Sequence, residues 1–195
     1  MPVLKIAVLG SGKGSNFRAI LDCIRSGQLR VRPVLAASDV QGSGILRLAD
    51  DLGIDTEFVE EKKFRTRLSE DVEARLAGRL VASGAELVVL AGWMRMLREP
   101  LLAAFPRRII NIHPSLLPAF PGLEAWKQAL AAGAAKTGCT VHFVDGGMDT
   151  GEVIAQSEVP VLPGDSAETL HARIQEAEHA LYPEVVGRFA RRELP

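Results

Sequence analysis

Asn111 and His113 close the apolar run RIINIH (108–113), and their types and spacing suit catalysis. An Asn amide supplies a fixed N–H donor, and a His ring supplies a second donor or a proton near neutral pH. Two donors converging on one oxygen suit the oxyanion that develops in an acyl transfer. Pro114, Pro118 and Pro121 stiffen the loop that follows and would keep the pair preorganised. The plainer alternative is a satisfied core histidine beside a capping asparagine; the strand end and the proline-rich loop weigh against it. DGGMDTGE (145–152) adds Asp145 and Asp149 in a glycine-rich turn. A carboxylate beside His113 would raise the imidazole pKa and help it give a proton, although turn aspartates are common and spacing alone does not join them. No nucleophile elbow occurs. His113, His142 and Cys139 lack any H-x-x-x-H or C-x-x-C spacing, so no metal is expected.

A second candidate is LGSGKGSNFRAI, which sets Gly10, Gly12 and Gly14 between an apolar strand and a helix. Glycines admit a ligand close to the backbone, and the helix start offers free N–H groups, so a phosphate is the natural guest. Ser15 and Asn16 add polar side chains there. No Gly-Lys-Ser/Thr ending follows, which excludes a P-loop, and Ser15 replaces the last glycine of the dinucleotide fingerprint. Asp39 after the second strand could still imitate a ribose-binding acid, so a nucleotide-binding module stays open on these residues. A glycine turn needed only for packing is the bland alternative.

The elements that must position these residues follow from hydrophobic pattern. Strands are expected at 3–10, 31–38, TEFVE and 86–92, with RIINIH next; helices at 16–27, GILRLADDLGI, 64–84 and 124–133. TGCTVHFV and GEVIAQSEVPV read as a hairpin about DGGMDT, and SAETLHARIQEAEHALYPEVVGRFARREL as one long helix kinked at Pro183. The expected fold class is α/β: one Rossmann-like domain over 1–195, a mostly parallel sheet with helices on both faces and a C-terminal antiparallel hairpin. In such a sheet ligands bind at the strands' carboxyl ends, where the glycine loop, GWMRML (92–97) and the Asn111–His113 pair would gather.

Composition narrows the function classes. Apolar content of 47%, charge of 24% and a net charge of −1 describe an ordinary soluble chain, against a dedicated nucleic-acid binder. MPVLKIAVLGSG is too short and too interrupted for a signal peptide or membrane span. Cys23 and Cys139 are expected as reduced thiols, and the location as cytoplasmic.

N-I-H-P-S-L-L-P, followed by an Asp in VHFVDGGMDTG, resembles the folate-dependent formyltransferases, and SGKGSN and EAEHALYP narrow the likeness to the branch acting on phosphoribosylglycinamide. The resemblance runs from about residue 4 to about residue 190. It implies that the formyl group of 10-formyltetrahydrofolate, as co-substrate, passes directly to the amine of phosphoribosylglycinamide, which fits the missing nucleophile. It further implies Asn111 and His113 as stabilisers of the tetrahedral intermediate, His113 as proton donor, and Asp149 as the carboxylate raising its pKa. Gly14, Ser15, Asn16 and Glu178 are implied as substrate contacts. Arg67, Leu90, Met94, Arg95, Met96, Leu97, Leu102, Asn111, Val144, Asp145, Gly146, Gly147 and Met148 are implied around the folate. No metal, nucleic acid or membrane partner is implied, and a monomer or weak homodimer is expected. Trp93 stands where Phe is more usual, Glu152 where Pro is frequent and Trp126 where His is often found; the last two leave loop shape open. Methionyl-tRNA formyltransferase would need a further nucleic-acid-binding domain, and formyltetrahydrofolate deformylase an N-terminal regulatory one; neither is expected here.

Overall fold

A computed structural model describes residues 3–194; Met1, Pro2 and Pro195, which the expected 1–195 unit includes, lie outside the described residues. The chain runs β1 (Leu4–Leu9), α1 (Ser15–Arg25), β2 (Val31–Ser38), α2 (Gly44–Asp50), β3 (Thr56–Phe58), α3 (Glu70–Ala82), β4 (Leu87–Leu90) and α4 (Glu99–Ala104). It continues through β5 (Ile109–His113), α5 (Ala125–Ala131), β6 (Lys136–Phe143), β7 (Val153–Pro160) and α6 (Ala167–Ala190). All seven strands join one sheet in the order β3-β2-β1-β4-β5-β6-β7. The first five are parallel, and β6 and β7 are antiparallel to their neighbours, as expected.

The apolar runs form strands because both faces are covered. Ile6 and Val8 of β1 face a cluster built with Phe17 and Ile20 of α1, Ile45 of α2 and Ile174 and Val185 of α6. Ala7 and Leu9 face a second cluster with Leu76 and Leu80 of α3 and Leu101 of α4. Burying each large side chain stabilises the fold by about 1.5–3 kcal/mol, and truncating the fully buried Phe17 to Ala would cost about 3–5 kcal/mol. Helix α6 starts in a reciprocal capping box between Ser166 and Thr169 and continues through Pro183 for 24 residues.

One local expectation is corrected. Residues 64–69 are not the first turns of α3, which begins at Glu70 after the cap residue Ser69. The Glu61 carboxylate takes the backbone N–H groups of Lys63, Phe64 and Ser69 instead, at 2.6, 3.3 and 2.5 Å. Those N–H groups pull the Glu61 carboxyl down to about 2, that of Ser69 most strongly. The extended segment then bridges Arg67 to Met96 in parallel. The six-residue α4, with Pro100 in its first turn, is an addition, a helix that the periodicity did not announce.

Candidate active site

The strand ends are aligned. Leu9 pairs with Leu90, Leu90 with Asn111, and Asn111 with His142 across the antiparallel join. From this row leave the glycine loop, the 91–97 segment and the proline-rich loop. The sheet's order reverses between β1 and β4, where ligands of open α/β sheets are held.

Alternation decides the chemistry of β5 and β6. Ile110, Ile112, Cys139, Val141 and Phe143 enter the α6 cluster, so Asn111, His113, Thr140 and His142 fall on the other face. The proline-rich loop folds over that polar face. Thr140 Oγ1 donates to Ser115 O at 2.6 Å and accepts from Leu117 N–H at 3.0 Å. Gln156 Nε2 reaches Leu117 O at 2.9 Å, and Ser115 Oγ closes the turn on Ala119 O at 2.5 Å. The Leu117–Pro118 peptide is cis.

Asn111, His113 and Asp149 do converge. His113, 4% exposed, presents Nδ1 to Asp149 Oδ2 at 3.3 Å and Nε2 to Phe120 O at 2.9 Å. Both ring nitrogens face acceptors, so both contacts are hydrogen bonds only in the imidazolium, the form with a proton to give. Asp149 sits at φ 54°, a left-handed backbone that Asp tolerates better than most residues, and its Oδ2 also accepts Gly122 N–H at 2.8 Å. His142 completes the cluster. Burial pushes its pKa down and favours the neutral ring. With Nδ1–H donated to Phe143 O at 2.8 Å, Nε2 accepts from Asn111 Nδ2 at 3.2 Å. One amide hydrogen of Asn111 is thereby spent, and the other remains to meet an oxygen.

The glycine loop ends at Gly14, which caps α1 at φ 80°. A Cβ there would sit 3.0 Å from Leu48 Cδ1 and 3.2 Å from Ile45 Cα, so both backbone and space call for glycine. Ser15 opens α1 and lines a cavity of about 420 Å³ with Lys13, Arg18, Asp22 and His179. Asn16, 8% exposed, donates through Nδ2 to Glu178 Oε2 at 3.0 Å, and its own Oδ1 is buried without a partner. Burial raises the Glu178 carboxyl to about 7 against the lowering pull of Asn16.

The remaining expected positions form a strip along the strand ends. Leu90 and Leu97 are buried, Met94 is exposed, and Leu102 of α4 packs against the second cluster. Met96 N–H bonds Thr66 O at 2.8 Å, which brings Arg67 alongside; the Arg67 guanidinium lies 3.7 Å from the Phe64 ring centroid. The Val144–Met148 loop leaves β6 with Val144 N–H on Ile109 O at 2.9 Å. Asp145 is a turn group, accepting from Gly147 N–H and Thr150 Oγ1 at 2.9 and 2.7 Å. The Arg95 side chain leaves the strip for Asp39, 2.6 Å away. Asp39 is thus paired with Arg95 and Ser11, which removes the resemblance to a ribose-binding acid. The two departures in loop sequence find partners: Glu152 meets Arg107 at 2.8 Å, and Trp126 stacks on His171 with ring centroids 3.7 Å apart. Cys23 and Cys139 are free thiols, and burial pushes the Cys139 thiol up to about 12. Ser11, the place of His142 beside Asn111 and the pairing of Asp39 escaped sequence reading; they depend on partners far away in the chain.

A family model described as formyl transferase matches residues 4–186, and the chain belongs to that family. Within it, the chain is similar to the phosphoribosylglycinamide formyltransferase of Bacillus subtilis (strain 168), 40% identical over 93% of this chain and 92% of that one. The crystal structure of glycinamide ribonucleotide transformylase 1 from Symbiobacterium toebii superposes with a TM-score of 0.93. It is 47% identical and covers 99% of this chain and 90% of its own. The trifunctional purine biosynthetic protein adenosine-3 of Drosophila pseudoobscura pseudoobscura is 46% identical over 97% of this chain, which spans only 14% of that protein. The likeness to the phosphoribosylglycinamide branch expected from NIHPSLLP and SGKGSN is borne out.

Proposed function

We propose that the chain transfers the formyl group of 10-formyltetrahydrofolate to the amine of phosphoribosylglycinamide, a step of de novo purine biosynthesis. The carrying observation is the convergence of Asn111, His113 and Asp149 at the carboxyl ends of the central strands, beside a glycine loop. The near full-length likeness to named phosphoribosylglycinamide formyltransferases supports the same substrates.

In this mechanism the substrate phosphate takes the start of α1 at Gly14 and Ser15, where free N–H groups and the Lys13 and Arg18 side chains suit an anion. Asn16 and Glu178 contact the rest of the nucleotide. The folate lies along Arg67, Leu90, Met94 to Leu97, Leu102 and the Val144–Met148 loop. The amine lone pair attacks the formyl carbon and forms the C–N bond, while the carbonyl electron pair moves to oxygen. The free Asn111 amide hydrogen and the His113 ring stabilise that oxygen. Nε2 stays with Phe120 O, leaving Nδ1 as the ring's donor beside Asp149. Asp149 holds the ring, balances its charge and, through water, accepts the proton shed by the amine. The oxygen's electron pair then re-forms the carbonyl as the bond from carbon to folate N10 breaks; His113 gives N10 a proton and recovers the one that Asp149 took from the amine, and tetrahydrofolate leaves.

The test is formyl loss from 10-formyltetrahydrofolate, followed optically with and without phosphoribosylglycinamide. Loss only with the nucleotide, abolished in His113→Ala, is expected. Loss without the nucleotide would make the chain a deformylase, and no loss in either case would overturn the reading.

A further inference from the structure

The pairing of Asp39 joins the two halves of the site. Ser11, in the glycine loop, donates its hydroxyl hydrogen to Asp39 Oδ1 at 2.6 Å. Because that hydrogen is committed, a lone pair of Ser11 Oγ faces the Met94 N–H and accepts it at 3.1 Å. The other carboxylate oxygen, Oδ2, takes Arg95 Nε at 2.6 Å. Arg95 then extends Nη1 to the carbonyls of Phe64 and Arg67, at 2.6 and 3.2 Å. One carboxylate, its side chain 8% exposed, therefore fixes three strips: the glycine loop, residues 94–96 and the extended 64–67 segment. Backbone bonds run parallel to it, from Ser11 N–H to Gly92 O at 3.0 Å and from Gly10 N–H to Ala37 O at 3.1 Å.

We infer that Asp39 is a positioning residue that couples the nucleotide site to the folate site, through Ser11 on one side and Arg95 on the other. The inference rests on the substrates proposed above. A phosphate drawing on the glycine loop fixes Ser11, and Ser11 fixes the Met94 N–H and the strip where the folate lies. The folate, by ordering residues 94–96 and Arg67, presses back through the same carboxylate. Two ligands that each order one shared element bind more tightly together than apart, and the gain is the same from either side. A buried carboxylate suits this role: removing it strands the Arg95 charge and frees the Ser11 hydroxyl to rotate away from Asp39.

The experiment is calorimetric titration of the full chain with tetrahydrofolate, alone and with saturating phosphoribosylglycinamide, in wild type, Asp39→Asn and Ser11→Ala. Ser11→Ala leaves the Asp39–Arg95 pair in place, so it decides the question even if Asp39→Asn fails to fold. Wild type is expected to bind the folate at least about fivefold more tightly with the nucleotide present, at the lower end of ordinary coupling. Both variants should lose most of that factor, while the nucleotide alone still binds. Undiminished coupling in Ser11→Ala, or its absence in wild type, would overturn the inference and leave the proposed reaction intact. A wild type that binds neither ligand would overturn the reaction and the inference with it.

Discussion

His113 Nδ1 and Asp149 Oδ2 meet at 3.3 Å, and the same Asp149 oxygen receives the Gly122 N–H from the proline-rich loop at 2.8 Å. The carboxylate thus ties together the loop after β5 and the loop after β6. The imidazole lies between a carbonyl and a carboxylate, so its plane is fixed before any substrate arrives.

Removing either partner should separate turnover from binding. His113→Ala is expected to lower kcat by about 10²- to 10⁴-fold, the range for loss of a positioned proton donor. Asp149→Asn, which tolerates the same left-handed backbone, should lower it by roughly 10²-fold. Phosphoribosylglycinamide affinity, measured by calorimetry, should stay near wild type in both. Equal losses in rate and affinity would assign these residues a structural role instead.

Glu178 should make stability fall as pH rises. Its folded carboxyl is raised to about 7 by burial, above its ordinary value of 4.5. Between those values the folded chain keeps a proton that the unfolded chain has lost, so the contribution is full below 4.5 and gone above about 7. Glu178→Gln carries no such titration. Urea unfolding across this window should show the variant gaining on wild type with rising pH, by up to about 3 kcal/mol. A pH-independent difference would refute the assignment.

Glu61 should control, from a distance, the strip proposed to hold the folate. Its carboxyl, held near 2 by the Ser69, Lys63 and Phe64 N–H groups, contributes fully above its ordinary 4.5 and loses its grip only as pH falls through about 2. Glu61→Ala removes the acceptor at every pH. Tetrahydrofolate affinity should then fall and amide exchange at Ser69 should rise, while nucleotide affinity is unchanged. Slow exchange at Ser69 in the variant would show that the segment holds itself.

Tyr182 offers a test of the sheet's own support. Its hydroxyl, fully buried on α6, reaches Leu90 O at 2.8 Å and Ile110 O at 3.1 Å, next to the row that carries Asn111. Tyr182→Phe leaves those carbonyls short of a donor and should cost about 1–2 kcal/mol in chemical denaturation. No change would mean that the strand ladder alone satisfies both.

The sheet was legible because buried parallel strands write themselves as apolar runs; LVVL is β4, buried at every position. Asn111, His113 and Asp149 drew notice by type, and NIHPSLLP with VHFVDGGMDTG carried their likeness to a family. Residues 64–69 were misread because the spacing of Phe64 and Leu68 also fits a helix. What overrides it is a carboxylate at Glu61 and a guanidinium at Arg95, and local pattern contains neither. His142 was weighed only as a metal ligand. Its place beside Asn111 follows from the antiparallel register of β5 and β6, a long-range fact that no window of sequence records. Arg95 was expected around the folate, and its side chain proves to belong to Asp39.

Ile6 and Val8 lean into one apolar cluster while Ala7 and Leu9, between and beside them, lean into the other. β4 divides Val89 from Val88 in the same manner, and β5 divides Ile110 from Ile109. The two layers of helices therefore grip the same strands from opposite sides, and neither layer can melt and leave the other a sheet to rest on. Heating would erase catalysis, aromatic ellipticity and helical signal along a single curve.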